Sequence, residues 1–166
     1  MPAHIAICGS NTFESSHKSI ILSIAEQCGE LIAKNNCLLL CGGHGGVMAA
    51  ACKGVKHAGG TSIGILPEES KEYANAFVTH SLPTGLGIKR NSLLVDCADV
   101  VIAICGGWGT LNEISYAVNI GKPVVLVKGT GGIVDHIIDE SFPLSKEGLF
   151  IEDCAKDAVE TALRIV

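Results

Sequence analysis

The chain has 166 residues, which is enough for one domain with a substantial hydrophobic core. Hydrophobic residues make up 48% of it and charged residues only 17%, a composition typical of a compact α/β protein. The formal net charge of −5 argues against a general nucleic-acid binder, which would need a basic face, but it allows a small anion to bind in a local site. We therefore expect neither nucleic acid nor a membrane as a partner.

Eight cysteines are spread along the chain without a CxxC pair, and most of them lie within apolar runs. This pattern argues against the disulfides of a secreted domain and favours reduced, mostly buried thiols. No signal peptide precedes the first predicted strand, and no apolar run has the length of a membrane span. We therefore expect a cytoplasmic protein. The histidines show no metal-ligand spacing, so we predict no metal site.

Strands and helices alternate along the N-terminal half of the chain. Short apolar runs predict four strands, which are Ile5–Cys8, Cys37–Leu40, Thr61–Leu66 and Phe77–His80. Apolar residues at helical spacing predict two helices, one from about Ile20 to Lys34, capped by Ser15 or Ser16, and one from Val47 to His57. The polar stretch Pro67–Asn75 is predicted to be an exposed loop, either a plain connector or a lid.

The C-terminal half continues this alternation. Its predicted strands are Val100–Ile104, Pro123–Val127 and Leu149–Ile151. Its predicted helices are Ile88–Val95, a helix with Leu111, Ile114, Ala117 and Val118 on one face, Ile133–Asp139, and Ala155–Ile165. Because near-continuous apolar strands alternate with helices, we predict a Rossmann-like α/β fold, with one doubly wound parallel sheet of six to seven strands and helices on both faces. No linker interrupts the pattern, so residues 1–166 are predicted to form a single domain.

A glycine-rich turn joins the predicted strand Val100–Ile104 to the helix that follows it. Gly106, Gly107 and Gly109 let the backbone approach a ligand closely, and Thr110 adds a hydroxyl to the unpaired N–H groups that open the helix. A helix N-terminus of this kind binds anions, most often phosphate. Glu113 lies one turn further on and would repel a phosphate, so we expect it to face a sugar hydroxyl, a base or a water. Tight packing of strand against helix is the alternative explanation of the glycines.

Two further glycine turns, Gly9–Thr12 and Gly42–Gly46, follow the first and second strands. Ligands of doubly wound sheets bind at the carboxyl ends of the strands, where the strand order reverses, so we expect all three turns to line one crevice. Within the second turn, His44 either touches a ligand or faces solvent. The later stretch Lys128–Gly132 is either a further ligand loop or a flexible turn.

Two single residues near the predicted crevice have more than one interpretation. Arg90 lies near the start of a helix, where a cation is unfavourable for the helix dipole. A bound anion or Glu113 would stabilise it there, and the alternative is an ordinary surface arginine. Cys105 is the one thiol that we expect to open onto the crevice, either as a small apolar filler, which we favour, or as a redox-sensitive contact to the ligand.

These motifs resemble those of the LOG-like family, often labelled lysine decarboxylase-like. Cys105–Glu113 resembles the family's PGGxGTxxE motif, and Arg90 stands at the spacing of the family's motif arginine. Cys8–Ser10 resembles the family's first loop, and Gly42–Met48 resembles its GGGxxGLM segment.

The short length and the segment Pro83–Asn91 look closer to another branch of the superfamily, which holds the molybdenum cofactor carrier proteins. Three residues depart from the enzyme pattern: Cys105 replaces the motif proline, Asn91 replaces a lysine, and Trp108 is bulky for the variable position.

The resemblance implies two alternative functions for one site. In the first, the chain binds a phosphorylated small molecule, either a nucleotide or the molybdenum cofactor, and requires no other cofactor. The residues that would hold this ligand are Gly9, Ser10, Gly43, Gly46, Met48, Asn91, Gly106, Gly107, Trp108, Gly109 and Thr110. In this interpretation Trp108 stacks on a ring of the ligand or walls the pocket.

In the second, the chain is a phosphoribohydrolase that cleaves the N-glycosidic bond of nucleoside 5′-monophosphates, with Arg90 and Glu113 as its catalytic pair. A true lysine decarboxylase is not expected, because no lysine stands out in the crevice. The resemblance also implies a homodimer or a homotetramer.

Overall fold

The computed structural model describes residues 1–13 and 17–166, which build one parallel β-sheet between two layers of helices. Within these residues the strands are β1 (His4–Gly9), β2 (Leu38–Cys41), β3 (Ser62–Leu66), β4 (His80–Pro83), β5 (Val100–Ile104), β6 (Val124–Val127) and β7 (Leu149–Glu152). The α-helices are α1 (Lys18–Lys34), α2 (Gly46–His57), α3 (Arg90–Asp96), α4 (Trp108–Asn119), α5 (Gly132–Ile138) and α6 (Ala155–Ile165). The predicted Rossmann-like fold is confirmed. The proposed helix caps Ser15 and Ser16 lie outside the described residues.

The sheet is buried on both faces because its strands contribute to two apolar layers. In β5, Val100, Ile102 and Ile104 pack in the layer that contains α1, α2 and α6. Val101 and Ala103, between them, pack in the layer that contains α3, α4 and α5. All five side chains are fully buried. The uninterrupted apolar run in the sequence follows from this arrangement, since a strand alternates with polar residues only where one face meets water.

The fourth strand lies further along the chain than the sequence predicts, at His80–Pro83 rather than Phe77–His80. Asn75 explains the shift, because its side-chain oxygen accepts hydrogen bonds from the N–H groups of Phe77 and Val78, at 3.0 and 3.1 Å. These bonds hold both residues in a turn, from which their side chains pack on the core. Since β4 is an edge strand, Pro83 is tolerated at its end. The preceding stretch Pro67–Asn75 contains a short 3₁₀ helix, Lys71–Tyr73.

The order of the strands reverses between β1 and β5. Across the sheet the order is β4-β3-β2-β1-β5-β6-β7. Strands β2, β3 and β4 are therefore added on one side of β1, and the chain then returns to add β5, β6 and β7 on its other side. These two neighbours pair from Ile5 with Val100 to Gly9 with Ile104, and therefore end at the same edge. The loops that follow them lead to helices on opposite faces of the sheet, which leaves a crevice between the loops.

Candidate functional site

A crevice of about 300 Å³ opens where β1, β2 and β5 end. The turns after these strands contribute to its lining, as the sequence predicts. Helix α3 and a second short 3₁₀ helix that precedes it, Gly87–Lys89, form a further wall. Its polar and charged lining residues include Ser10, Asn11, Thr12, His44, Arg90, Asn91, Thr110 and Glu113. The crevice therefore combines backbone turns with a set of convergent polar side chains, as small-molecule sites usually do.

The N-terminus of α4 faces this crevice. Gly107 caps the helix without any side-chain hydrogen bond, and the first bond along the helix runs from the N–H of Leu111 to the oxygen of Gly107, at 2.9 Å. The N–H groups of Trp108, Gly109 and Thr110 precede that bond and so have no carbonyl partner within the helix. Because Gly107, Gly109 and Thr110 line the crevice, the positive end of the helix dipole lies at its wall.

A buried ion pair joins α3 to α4 beside this helix end. Nη1 of Arg90 donates a hydrogen bond to Oε1 of Glu113 at 3.1 Å. The two residues are only 8% and 6% exposed, yet both line the crevice. Of the alternatives left open by the sequence, Glu113 is a partner of Arg90, and the surface-arginine interpretation is wrong. Nε of Arg90 is buried and has no hydrogen-bond partner among the described residues.

Burial and charge act against each other at Glu113. Burial raises the pKa of the Glu113 carboxyl above its usual range, although the Arg90 charge and a hydrogen bond from the Cys8 thiol oppose the rise. Burial, followed by the neighbouring Glu113 charge, raises the pKa of the Cys8 thiol well above its usual range. Cys8 is therefore held as a neutral thiol that is hydrogen-bonded to the carboxylate and lines the crevice with it.

Hydrogen bonds from three other elements hold the turn between β5 and α4 in place. The N–H of Gly106 donates to Oγ of Ser10 at 3.1 Å, which ties the turn to the end of β1. The N–H of Cys105 donates to Oγ1 of Thr130 at 2.8 Å, and the side chain of Asn91 donates to Oδ1 of Asn112 at 3.0 Å. These contacts fix the first turn of α4 before any ligand arrives, which lowers the entropic cost of binding.

Cys105 has a backbone conformation that explains one departure from the enzyme pattern. Its φ of 58° lies in the left-handed region, which is uncommon for a residue other than glycine. A proline, whose ring fixes φ near −65°, could not take this conformation. The prediction that Cys105 opens onto the crevice is wrong, because Cys105 is buried outside the crevice lining and it is Cys8 whose thiol belongs to that lining.

The turn after β2 forms the opposite wall. Nε2 of His44 lies 3.0 Å from Oε2 of Glu68, so the histidine joins this wall to the stretch after β3. Asn75 strengthens the same junction, since its side-chain nitrogen donates to the oxygens of Gly43 and His44, at 3.0 and 2.9 Å. His44 therefore lines the crevice with a partly exposed carboxylate beside it.

The structure brings most of the predicted site residues together at the crevice. Those that line it are Gly9, Ser10, Met48, Arg90, Asn91, Gly107, Gly109, Thr110 and Glu113. Those that do not line it are Gly43, Gly46, Gly106 and Trp108.

The three glycines outside the lining are required by the packing of the protein itself. A side chain on Gly46 would overlap the backbone of Ser10 and Asn11, one on Gly43 would overlap Leu66, and one on Gly106 would overlap Thr110. Trp108 is 87% exposed and lines a separate groove with Ile133 and His136.

Several lining residues were missing from the predicted set, among them Cys8, Gly42 and Ile88. Gly42 lies so close to the guanidinium of Arg90 that a side chain there would overlap it, which only the tertiary structure shows. Cys8 and Ile88 lie in segments that the family resemblance covers, but by hydropathy one is typical of a core residue and the other of an ordinary helix, so neither was predicted to line the crevice.

The described residues show neither a metal site nor a membrane-spanning helix. No group of three or more histidine, cysteine, aspartate or glutamate side chains in that part of the chain is placed to hold a metal ion. No helix among residues 1–13 and 17–166 is long and apolar enough to cross a membrane. All eight cysteines are free thiols.

Comparisons with known proteins agree with this architecture. The model of the SLOG cluster4 family matches residues 2–159. An uncharacterised protein of Archaeoglobus fulgidus is 42% identical over 105 residues, which cover 63% of this chain and 69% of that protein. The cytokinin riboside 5′-monophosphate phosphoribohydrolase of Mycobacterium tuberculosis is 28% identical over 156 residues, covering 84% of this chain and 83% of the enzyme.

The solved structure of the molybdenum cofactor binding protein from the phototrophic bacterium Rippkaea orientalis is also similar. It superposes with a TM-score of 0.86 at 33% identity, over 99% of this chain and 98% of that one. The resemblance that the sequence motifs indicate is therefore confirmed.

Proposed function

This chain belongs to the SLOG cluster4 family, and we propose that its crevice binds a phosphorylated small molecule, either a nucleotide or the molybdenum cofactor, with the phosphate at the N-terminus of α4. One observation carries the proposal. Arg90 is 8% exposed and lines the crevice, yet its Nε has no hydrogen-bond partner among the described residues. A buried guanidinium nitrogen without a partner is costly, and the positive charge of this guanidinium beside the N-terminus of α4 favours an anion in the crevice.

The backbone and the side chains divide the recognition of this ligand between them. The N–H groups of Gly109 and Thr110 are available to a phosphate, and Arg90 neutralises part of its charge. Glu113 remains paired with Arg90, which offsets part of the repulsion between its carboxylate and a bound phosphate, and we expect this carboxylate to face the uncharged part of the ligand. Ser10 and Asn91 hold the two sides of the helix end in register.

The relatives support a phosphorylated ligand without deciding which one. The Rippkaea orientalis protein is titled a molybdenum cofactor binding protein, and the Mycobacterium tuberculosis relative is named for a reaction on a nucleoside monophosphate. A phosphate group is common to both ligands. The molybdenum cofactor would be cargo here, and Gly107, Gly109, Thr110 and Arg90 would hold its phosphate.

Binding measured by calorimetry tests this proposal. The ligands are adenosine 5′-monophosphate, a panel of other nucleoside monophosphates, and molybdenum cofactor released from a molybdenum enzyme. We expect one of these groups to bind, and the variant Arg90→Met to weaken that binding at least tenfold. Arg164→Met is the matched control, because Arg164 is exposed on α6, and it should bind like the unaltered protein. The proposal fails if neither group binds above background.

A second candidate function is the phosphoribohydrolase, and the buried carboxylate of Glu113 favours it. Cleavage of the N-glycosidic bond with water yields the free base and ribose 5-phosphate, and positive charge develops on the sugar during the reaction. Glu113 would stabilise that charge and orient or deprotonate the water, while Arg90 positions Glu113. Burial raises the pKa of Glu113, which brings it closer to the pH at which a general base works best.

Release of free base from a panel of nucleoside monophosphates tests the second candidate. We expect Glu113→Gln to abolish release and to leave binding within about threefold, since the amide has nearly the same shape. Glu160→Gln, at an exposed position on α6, should retain full activity. No base released from any substrate would eliminate the enzyme, and activity that survives in Glu113→Gln would eliminate the assigned role.

We also propose a homodimer or homotetramer. Apolar side chains near the crevice are exposed, among them Ile88 at 67% and Leu86 at 46%, and such surface favours subunit contact. Light scattering at micromolar concentration tests this, and a monomeric mass would refute it.

A further inference from the structure

A second cavity, of about 510 Å³, adjoins the crevice on the side of α1 and α2. We call it the lateral pocket, and its walls include Phe13, Lys18, Ala49, Ala50, Lys53 and Phe77. Asn11 and Thr12, in the turn after β1, line both the lateral pocket and the crevice. The two cavities are therefore neighbours that share one polar edge.

The walls of the lateral pocket combine flat apolar surface with two lysines and one glutamate, Glu26. Phe13 and Phe77 are partly buried and pack against the core, and Ala49 and Ala50 leave room between α2 and the aromatic rings. Nζ of Lys53 pairs with Glu26 at 3.0 Å. Among the described residues Lys18 has no ion-pair partner. Apolar walls with ammonium donors at the rim suit a planar heterocycle whose edge carries carbonyl or ring-nitrogen acceptors.

The sizes of the two cavities also indicate that different parts of one ligand occupy them. The crevice, at about 300 Å³, is at the lower limit for a small-molecule site, and its walls carry the buried ion pair and the α4 helix end. These features suit a phosphate and the polar group attached to it. The larger lateral pocket has the apolar walls that the crevice offers only in part.

We infer that the lateral pocket holds the heterocyclic ring of the phosphorylated ligand, while the polar group between ring and phosphate crosses the shared edge at Asn11 and Thr12. The inference rests on the proposed function, because it needs the phosphate at the N-terminus of α4. Beyond the proposed function, the inference specifies the position of the ring and the side chains that contact it. The competing position for the ring is the crevice itself, near Ile88 and Met48.

Methyl NMR on the unaltered protein distinguishes these positions, because an aromatic ring shifts the resonances of nearby methyl groups. The protein is labelled at alanine, isoleucine and methionine methyls and titrated with adenosine 5′-monophosphate, whose own resonances show that it stays intact. Ribose 5-phosphate, which has no ring, is the control ligand.

We expect the nucleotide to shift Ala49 and Ala50, and ribose 5-phosphate to leave both unchanged. Ring-dependent shifts of Ile88 and Met48 alone would overturn the inference and leave the proposed function standing. If neither ligand shifts any methyl group that lines the crevice or the lateral pocket, the inference fails for a nucleotide ring, whereas the proposed function fails only if the molybdenum cofactor also does not bind.

A pair of variants gives an independent measurement. Ala50→Leu narrows the lateral pocket, and we expect it to weaken binding of adenosine 5′-monophosphate at least tenfold while ribose 5-phosphate binds within twofold of the unaltered protein. Ile151→Ala, at an exposed position on β7 that lines neither cavity, should change neither affinity by more than threefold. Equal losses for both ligands in Ala50→Leu, or no loss for the nucleotide, would contradict the placement of the ring.

Discussion

Two units of this protein share one sequence pattern and use it differently. The β2–α2 unit and the β5–α4 unit each consist of an apolar strand, a glycine-rich turn and a helix of 12 residues. Both turns lie at the same edge of the sheet. In the β2–α2 unit, Gly43 and Gly46 have positive φ and sit where any side chain would overlap neighbouring atoms of the protein. In the β5–α4 unit, Gly107 and Gly109 have open space where a side chain would begin.

Glycine spacing does not by itself separate a ligand turn from a packing turn. Both explanations of the glycines, close approach of a ligand and tight packing, apply in this protein. Packing explains Gly43 and Gly46 in the β2–α2 unit, whereas the β5–α4 unit contains glycines of both kinds. Gly106 is needed because Thr110 packs against it, whereas Gly107 and Gly109 face the crevice. The feature that marks the β5–α4 unit is the buried ion pair between Arg90 and Glu113.

Removing one member of that pair should have the largest effect on stability. Glu113→Ala leaves the Arg90 charge buried and uncompensated, so we expect a loss of about 3–5 kcal/mol in the free energy of unfolding. Urea denaturation measures it. Glu160→Ala, which removes an exposed carboxylate 3.8 Å from Lys156, should cost less than about 0.5 kcal/mol. A loss below about 1 kcal/mol in Glu113→Ala would show that the pair is not buried as described.

Restoring the enzyme pattern at Cys105 should disrupt the β5–α4 turn. Cys105→Pro removes the N–H that donates to Thr130 and forces φ away from 58°, so we expect a loss of about 3 kcal/mol. Cys105→Gly accepts the same φ without strain and should stay within about 1 kcal/mol of the unaltered protein. Thermal or urea unfolding compares the two. Equal stability of both variants would contradict the left-handed conformation.

Alanine at one glycine of each unit tests the comparison directly. Gly46→Ala meets the backbone of Ser10 at a φ of 59°, and we expect it to cost about 2 kcal/mol. Gly109→Ala lies in the first turn of α4 with nothing within 4 Å, and we expect it to gain up to about 1 kcal/mol while it weakens phosphate binding. Urea denaturation gives the stabilities, and titration with ribose 5-phosphate gives the affinities. The comparison is wrong if the two variants change stability in the same direction.

The smallest effect is expected at Trp108. Its side chain is 87% exposed and lies outside the crevice lining, so Trp108→Ala should change the free energy of unfolding by less than about 0.5 kcal/mol. Its affinity for nucleoside monophosphates should match that of the unaltered protein within twofold. A tenfold loss of affinity would restore the ring-stacking interpretation that the resemblance implies.

The fold could be predicted from the sequence because local hydropathy patterns determine its strands and helices. Each buried strand reads as an apolar run, each amphipathic helix as a helical repeat, and their alternation leads to a parallel sheet. The one displaced strand, β4, depends on the side chain of Asn75, which bonds to Phe77 and Val78 and to the oxygens of Gly43 and His44 in another turn. Hydropathy contains no information about such bonds.

The chain's own pattern also established the edge of the sheet at which a site forms, since turns after parallel strands converge there whatever their detail. Which groups face the crevice was decided only by tertiary packing. Trp108 points away, Cys8 takes the place expected of Cys105, and Gly42 is required beneath Arg90, because each outcome depends on atoms that are distant in sequence. The pairing of Arg90 with Glu113 was one of several possibilities in the sequence, and burial of both residues between α3 and α4 selected it.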